Sequence, residues 1–220
     1  MNKEITIPVK GARLSGELEL VPGNFSLVIF AHGSGSSRHS PRNRLVAQRL
    51  RAEGLGTLLF DLLMPAEEQA EAATRHLRFN IPLLAARLSE ATRWAMDRVS
   101  SADLNIGYFG SSTGAAAALV AAAELGEKIG AVVSRGGRPD LAAESLERVT
   151  APTLLMVGGE DAPVIPLNEE AYTRLRCQKA LRIIPGASHL FEEPGALERV
   201  AGMASEWFVN HLQPLLQRRT

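Results

Sequence analysis

Three residues, each just past an apolar run, have the types that acyl transfer needs: a hydroxyl, an imidazole and a carboxylate. Ser112 stands at the centre of Gly110-Ser111-Ser112-Thr113-Gly114, between the strand-forming run 104–109 and an alanine-dense stretch, 115–123. A serine hydroxyl is a weak nucleophile unless a strained turn projects it beside a base. A G-x-S-x-G pattern between a strand and a helix is the sequence form of such a turn, a nucleophile elbow. Glycine on either side leaves room that a side chain would fill. Ser111 is the fallback nucleophile, but the central position of the motif is that of Ser112. An ordinary glycine-rich turn would need neither the strand before it nor the helix after it.

The base and acid follow later strands. His189 comes after the apolar run 180–184, and Asp161 after 152–158. His189 is expected to take the Ser112 proton and return it to the leaving group, with Asp161 holding the imidazole in one tautomer and remaining ionised. Glu160 and Asp140 compete as the acid. The run Gly159-Glu160-Asp161-Ala162-Pro163 favours Asp161, and Asp140 reads as the cap of a helix that begins beside Pro139. An oxyanion needs two fixed N–H donors. Thr113, the residue after the nucleophile, supplies one, and Ser34 in His32-Gly33-Ser34-Gly35 supplies the other, with Gly35 as the alternative. Arg135 and His32 are the candidate substrate contacts. Arg135 lies at a strand end, where a guanidinium holds a carboxylate or phosphate in bidentate fashion, or else it satisfies loop carbonyls. Arg138 pairs with Asp140 in that second view. His32 reads foremost as a group that shapes its loop. His39, His76 and His211 have no strand-end context and read as surface or packing residues.

These residues require elements that deliver them to one rim. Residues 5–9 and 14–21 alternate apolar and polar around Lys10-Gly11-Ala12, the pattern of an edge hairpin. Runs 26–31, 57–61, 104–109, 129–134 and 152–158 are continuously apolar, as strands buried on both faces of a parallel sheet are. Helical spacing occupies 42–53, ended by Gly54, and 83–99. Helices are also expected over 141–149, 167–175 and 196–216, the last burying Val200, Ala204, Trp207, Phe208, His211 and Leu215. Residues 62–74 read as either a short helix or a loop. Strands alternating with helices make an α/β fold with a mostly parallel central sheet, helices on both faces and an antiparallel N-terminal edge. Ligands of such sheets sit outside the carboxyl ends of the strands, where Ser112, Asp161, His189 and His32 all fall. The stretch between Asp61 and Leu83 is too short for a large cap domain. One domain over residues 1–220 is expected.

Composition narrows the function classes. The 24 Lys and Arg residues balance 24 Asp and Glu, so no charge asymmetry points to nucleic acid or a membrane surface as partner. The single cysteine, Cys177, rules out an internal disulfide and a cysteine metal cluster, and it reads as a passive thiol. No cofactor and no metal is called for. The opening MNKEITIPVKG has no apolar core of signal-peptide length, and no apolar run spans a bilayer, so a cytoplasmic enzyme is expected.

The motifs HGSGSS, GSSTG, GGEDAPV and GASHLF, in this order, resemble the α/β-hydrolase superfamily, and within it the small single-domain group similar to dienelactone hydrolases. The resemblance runs from Ser26 into the last helix. It implies the nucleophile, acid, base order Ser112, Asp161, His189. True dienelactone hydrolases carry a cysteine nucleophile where this chain has Ser112, so serine-esterase chemistry on a small-molecule ester fits better than the dienelactone itself. With aromatic residues at 5%, a broad lipid-binding surface is not expected, and a small or medium acyl group is. An acyltransferase would use the same triad. A hydrolase-fold binding or sensor protein would not need all of its parts.

Overall fold

The computed structural model describes residues 3–74, 76–99 and 104–212. The alternating opening segment folds as expected: β1 (Lys3–Val9) pairs antiparallel with β2 (Ala12–Glu19), with Ile7 opposite Leu14 and both fully buried. The apolar runs become strands covered on both faces, β3 (Ser26–Ala31), β4 (Gly56–Phe60), β5 (Asn105–Ser111), β6 (Ile129–Arg135) and β7 (Thr153–Gly158), and β8 (Lys179–Ile184) forms the far edge. The eight strands lie in the order β1-β2-β4-β3-β5-β6-β7-β8. β2 meets β4 antiparallel, and the pairs from β4 through β8 are parallel. This is the α/β hydrolase arrangement, with the antiparallel edge that the sequence pattern implies.

Strand alternation sorts the core into two layers. Val28, Phe30, Phe109 and Val133 meet α1 (Pro41–Ala52) and α6 (Ala196–Leu212). Leu27, Ile29, Ile106 and Tyr108 face α3 (Ile81–Val99), α4 (Thr113–Leu125) and α5 (Ile165–Arg174). Six alanines of α4 are fully buried, because this helix is enclosed between the sheet and α3 and only methyl-sized side chains fit both sides. The Ser40 hydroxyl accepts from the Asn43 N–H at the start of α1, and Pro41 stands at its first turn. At its end Leu55 N–H returns to Leu50 and Gly54 N–H to Arg51, with Gly54 at φ +83°, a Schellman close in which Leu50 and Leu55 are both buried.

Three segments differ from their sequence reading or resolve it. Residues 65–74 form a helix, α2 (Pro65–Thr74), anchored where Arg87 of α3 donates two bonds of 2.7 Å to Glu67. The helix expected over 141–149 is instead two short 3₁₀ turns, Pro139–Ala142 and Leu146–Arg148. Arg174 of α5 donates to the Ala143 carbonyl, and the local bonds Ser145 to Ala142 and Arg148 to Ser145 close three-residue turns rather than α-helical ones. Asp140 caps nothing there; it is forked by Arg138. In α6, Val200, Ala204 and Phe208 are buried as expected, joined by Ala201 and Leu212. Trp207 and His211 sit at the margin, their rings 4.4 Å apart, where Trp207 Nε1 donates to Pro152. Leu215 and Leu216 lie outside the described residues.

Candidate active site

β5 ends at Ser111 and α4 begins at Thr113, so Ser112 alone makes the turn. Its φ of 50° and ψ of −122° lie where L side chains are strained. Neighbours hold it there: Ser112 N–H donates to the Arg135 carbonyl, and the Ser112 carbonyl accepts from Ala115 and Arg138. The flanking glycines are needed for close approach. A Cβ on Gly110 would stand 2.4 Å from Ala115 Cα, and one on Gly114 would stand 2.2 Å from the Ala31 carbonyl oxygen. Both distances are far inside van der Waals contact, so only glycine lets α4 start this close to β3 and β5.

The loops after β7 and β8 are fastened to each other. Gly159 N–H donates to Ile184 and Glu160 N–H to Ala187, and a Cβ on Gly158 would stand 2.3 Å from the Ala187 oxygen. This closeness sets His189 Nδ1 2.6 Å from Asp161 Oδ2. Asp161 is buried, whereas Glu160 is exposed and Asp140 is occupied by Arg138, so of the three candidate acids Asp161 is the one that meets the imidazole. With a carboxylate accepting at Nδ1, the proton resides on that nitrogen and Nε2 is left as an acceptor.

His32 is held by backbone at both ring nitrogens. Its Nδ1–H donates to the Gly33 carbonyl and its Nε2 accepts from Leu62 N–H, both at 3.0 Å, so each ring nitrogen is spent on backbone. It is 5% exposed, and burial pushes its pKa down, which keeps the ring neutral. In this way it ties the loop after β3 to the one after β4. Ser34 next to it meets Thr113: Ser34 N–H donates to Thr113 Oγ1 at 3.2 Å, and the two hydroxyls are 3.0 Å apart.

Ser112, Thr113, Ser34 and His189 line one cleft of about 340 Å³, together with Arg78, Phe79, Arg138 and Val164. Arg78 and Phe79 come from a short turn, Leu77–Phe79, that sequence reading passed over. No strand end marks them; the one available signal was an arginine and an aromatic residue just ahead of the α3 start. Arg135 does not join them. Alternation along β6 sends its side chain to the α1/α6 face with Val133, where it is 7% exposed. It does not satisfy loop carbonyls either, since its Nε and Nη1 have no partner. Arg138 pairs with Asp140 as the second view held, and that hydrogen bond raises the arginine's pKa. A small cavity of about 10 Å³ adjoins the cleft, sharing Ser34, Thr113 and Arg78 with it, and His32, Leu62, Leu63 and Leu84 complete its wall. Among the described residues no helix is long and apolar enough to cross a membrane, and no three His, Cys, Asp or Glu side chains are grouped to hold a metal ion.

Comparisons with known proteins bear on this cleft. Residues 24–204 match a family described as an alpha/beta hydrolase domain. The crystal structure of a dienelactone hydrolase from Anabaena variabilis is 56% identical, with a TM-score of 0.94 over 97% of this chain and 99% of that one. Est1E from Butyrivibrio proteoclasticus shares the fold at 16% identity, with a TM-score of 0.76 over 94% of this chain and 98% of its own. Two curated relatives from Mycobacterium tuberculosis strains, provisionally named phosphoribosyl transferases, are 51% identical over 211 residues. These residues are 96% of this chain but 47% of each relative, so the chain spans about half their length.

Proposed function

Since the chain belongs to the α/β-hydrolase family and is dienelactone-hydrolase-like, we propose that it is a serine hydrolase of carboxylic esters, with thioesters and lactones as related substrates. Ser112 Oγ attacks the acyl carbon while His189 Nε2 accepts its proton. His189 then gives that proton to the departing alcohol, leaving an acyl-enzyme. Water, deprotonated by the same nitrogen, releases the acid. Asp161 keeps the imidazole in the required tautomer and stabilises the imidazolium. The oxyanion is held by the N–H groups of Thr113 and Ser34. In the structure the Ser34 N–H is given to Thr113 Oγ1 at 3.2 Å, so in this reading it turns to the oxyanion only when that bond is exchanged, with Gly35 as the alternative donor.

The observation that carries this reading is the 2.6 Å His189–Asp161 bond at the edge of a cleft that Ser112 also lines. A cleft of about 340 Å³ is at the small end of ligand sites, which suits a short or medium acyl group. The transferase name of the Mycobacterium relatives describes proteins about twice as long as the matched stretch, and in this reading that activity stays with the part this chain does not match. Labelling with a fluorophosphonate probe tests the proposal, followed by turnover of p-nitrophenyl acetate and butyrate. Attachment at Ser112, with labelling and turnover both lost in Ser112→Ala, is the expected result. A folded protein that neither labels nor turns over either ester would instead be a hydrolase-fold binding protein.

A further inference from the structure

Behind the Ser112 turn, on the side away from the cleft, lies an arginine with no counter-charge among the described residues. Arg135 closes β6, and its register neighbours are Ser111 on β5 and Met156 on β7. All three side chains face α1 and α6. Ser111 Oγ donates to Asn43 Oδ1 of α1, so that oxygen already has a donor. The Arg135 side chain is more than nine-tenths buried, and its Nε and Nη1 are covered yet have no hydrogen-bond partner among the described residues. The charge that bears on it is another cation, Arg42, from the first turn of α1. Arg42 Nη1 reaches outward to Glu192 at 2.8 Å, but its Nε is also covered and unpartnered.

A buried, unpaired guanidinium is costly to hold, and arginine does not escape that cost by losing its proton. Burial and Arg42 press the Arg135 pKa down only to about 10, so the group stays cationic at neutral pH. Buried Arg135 and half-buried Arg42 leave three covered nitrogens, with four N–H donors between them, unmet, and Glu192 answers one of the two charges. A water molecule would accept the hydrogen bonds and leave the remaining charge in place. An anion answers both needs. We propose that Arg135 and Arg42 hold a small monovalent anion, a halide or a small carboxylate, buried between β6 and the start of α1. The site is structural rather than catalytic. It braces the backbone that supports the turn, since the Arg135 carbonyl accepts from Ser112 N–H and the following Gly136 N–H donates to Met156.

The test does not use the hydrolase reading. Thermal unfolding is followed while chloride, and separately formate, replaces a bulky organic anion at constant ionic strength. Wild type is expected to show a saturable rise of several degrees with one or both ions, and the ion that saturates at the lower concentration is the preferred occupant. Arg135→Met, which removes the charge and keeps the length, is expected to lose the response. Should that variant fail to fold, Arg42→Gln takes its place, with the half-saturating concentration expected to rise several-fold. Crystals soaked in bromide give the direct view: an anomalous peak within hydrogen-bond reach of Arg135 Nε or Nη1 is expected. Identical responses in wild type and variant, no saturable response to either ion, or a water at that position in bromide would each overturn the proposal.

Discussion

In the proposed mechanism Ser112, His189 and Asp161 divide the work by burial. Asp161 is withdrawn from solvent with its Oδ2 committed to His189, while the imidazole reaches into the cleft. An amide in place of that carboxylate presents a donor to Nδ1 and favours the wrong tautomer. Asp161→Asn is therefore expected to lower kcat about 10⁴-fold with little change in KM, as measured by p-nitrophenyl ester turnover. His32 offers a second measurement, on stability. Its folded pKa lies below the ordinary value of 6.5, so the unfolded chain binds this proton more readily. The contribution of neutral, buried His32 is complete above about 6.5 and is lost as pH falls through the folded value. Urea midpoints compared at about pH 8 and pH 5 are expected to fall with acid in wild type, and to fall less in His32→Gln.

At the scale of elements, the site depends on how closely three backbones approach. α4 starts against the end of β3 because Gly114 has no Cβ to meet the Ala31 and His32 carbonyls, which would lie 2.2 and 2.5 Å away. Both obstacles are backbone and cannot rotate aside. Gly114→Ala is expected to destabilise the protein by about 3 kcal/mol, the upper part of the usual overpacking range, with chemical denaturation as the readout. The short turn Leu77–Phe79 matters for a different reason. It brings Arg78 and Phe79 over a cleft that strand ends alone would leave open. With that cleft at about 340 Å³ and the cavity adjoining it at about 10 Å³, turnover is expected to peak for acyl chains of roughly two to four carbons and decline beyond about eight, read from a p-nitrophenyl ester series.

Across the whole molecule, a hollow larger than the one that Ser112 lines lies elsewhere. A concavity of about 510 Å³ lies where α6 passes the β8 edge, with Leu154, Ala180, Arg182, Met203 and Trp207 in its wall. Size alone would name it the ligand site. Ser112, His189 and Asp161 do not line it, so Arg182→Ala is expected to leave kcat/KM for esters within about twofold of wild type, since substitutions remote from the reacting groups leave transition-state binding unchanged. The formal net charge of zero agrees with a molecule whose selectivity comes from local groups rather than from a long-range field.

What the sequence determined by itself was the order of elements and the chemistry at their ends. Continuous apolar runs specify strands buried on two faces, and a glycine-serine turn between strand and helix is local enough to be read from fifteen residues. Asp161 and His189 were legible because an α/β sheet gathers the carboxyl ends of its strands on one rim. Direction and neighbourhood were decided only by tertiary structure. Arg135 sits at a strand end like the others, yet the parity of β6 turns its side chain to the opposite face. His32 has a reactive ring whose two nitrogens are taken by backbone groups 1 and 30 residues away. The segment 141–149 has helical composition, and a hydrogen bond from Arg174 takes one of its carbonyls. For His32 and for 141–149 a deciding partner, Leu62 or Arg174, is distant along the chain, and one-dimensional spacing carries no record of it.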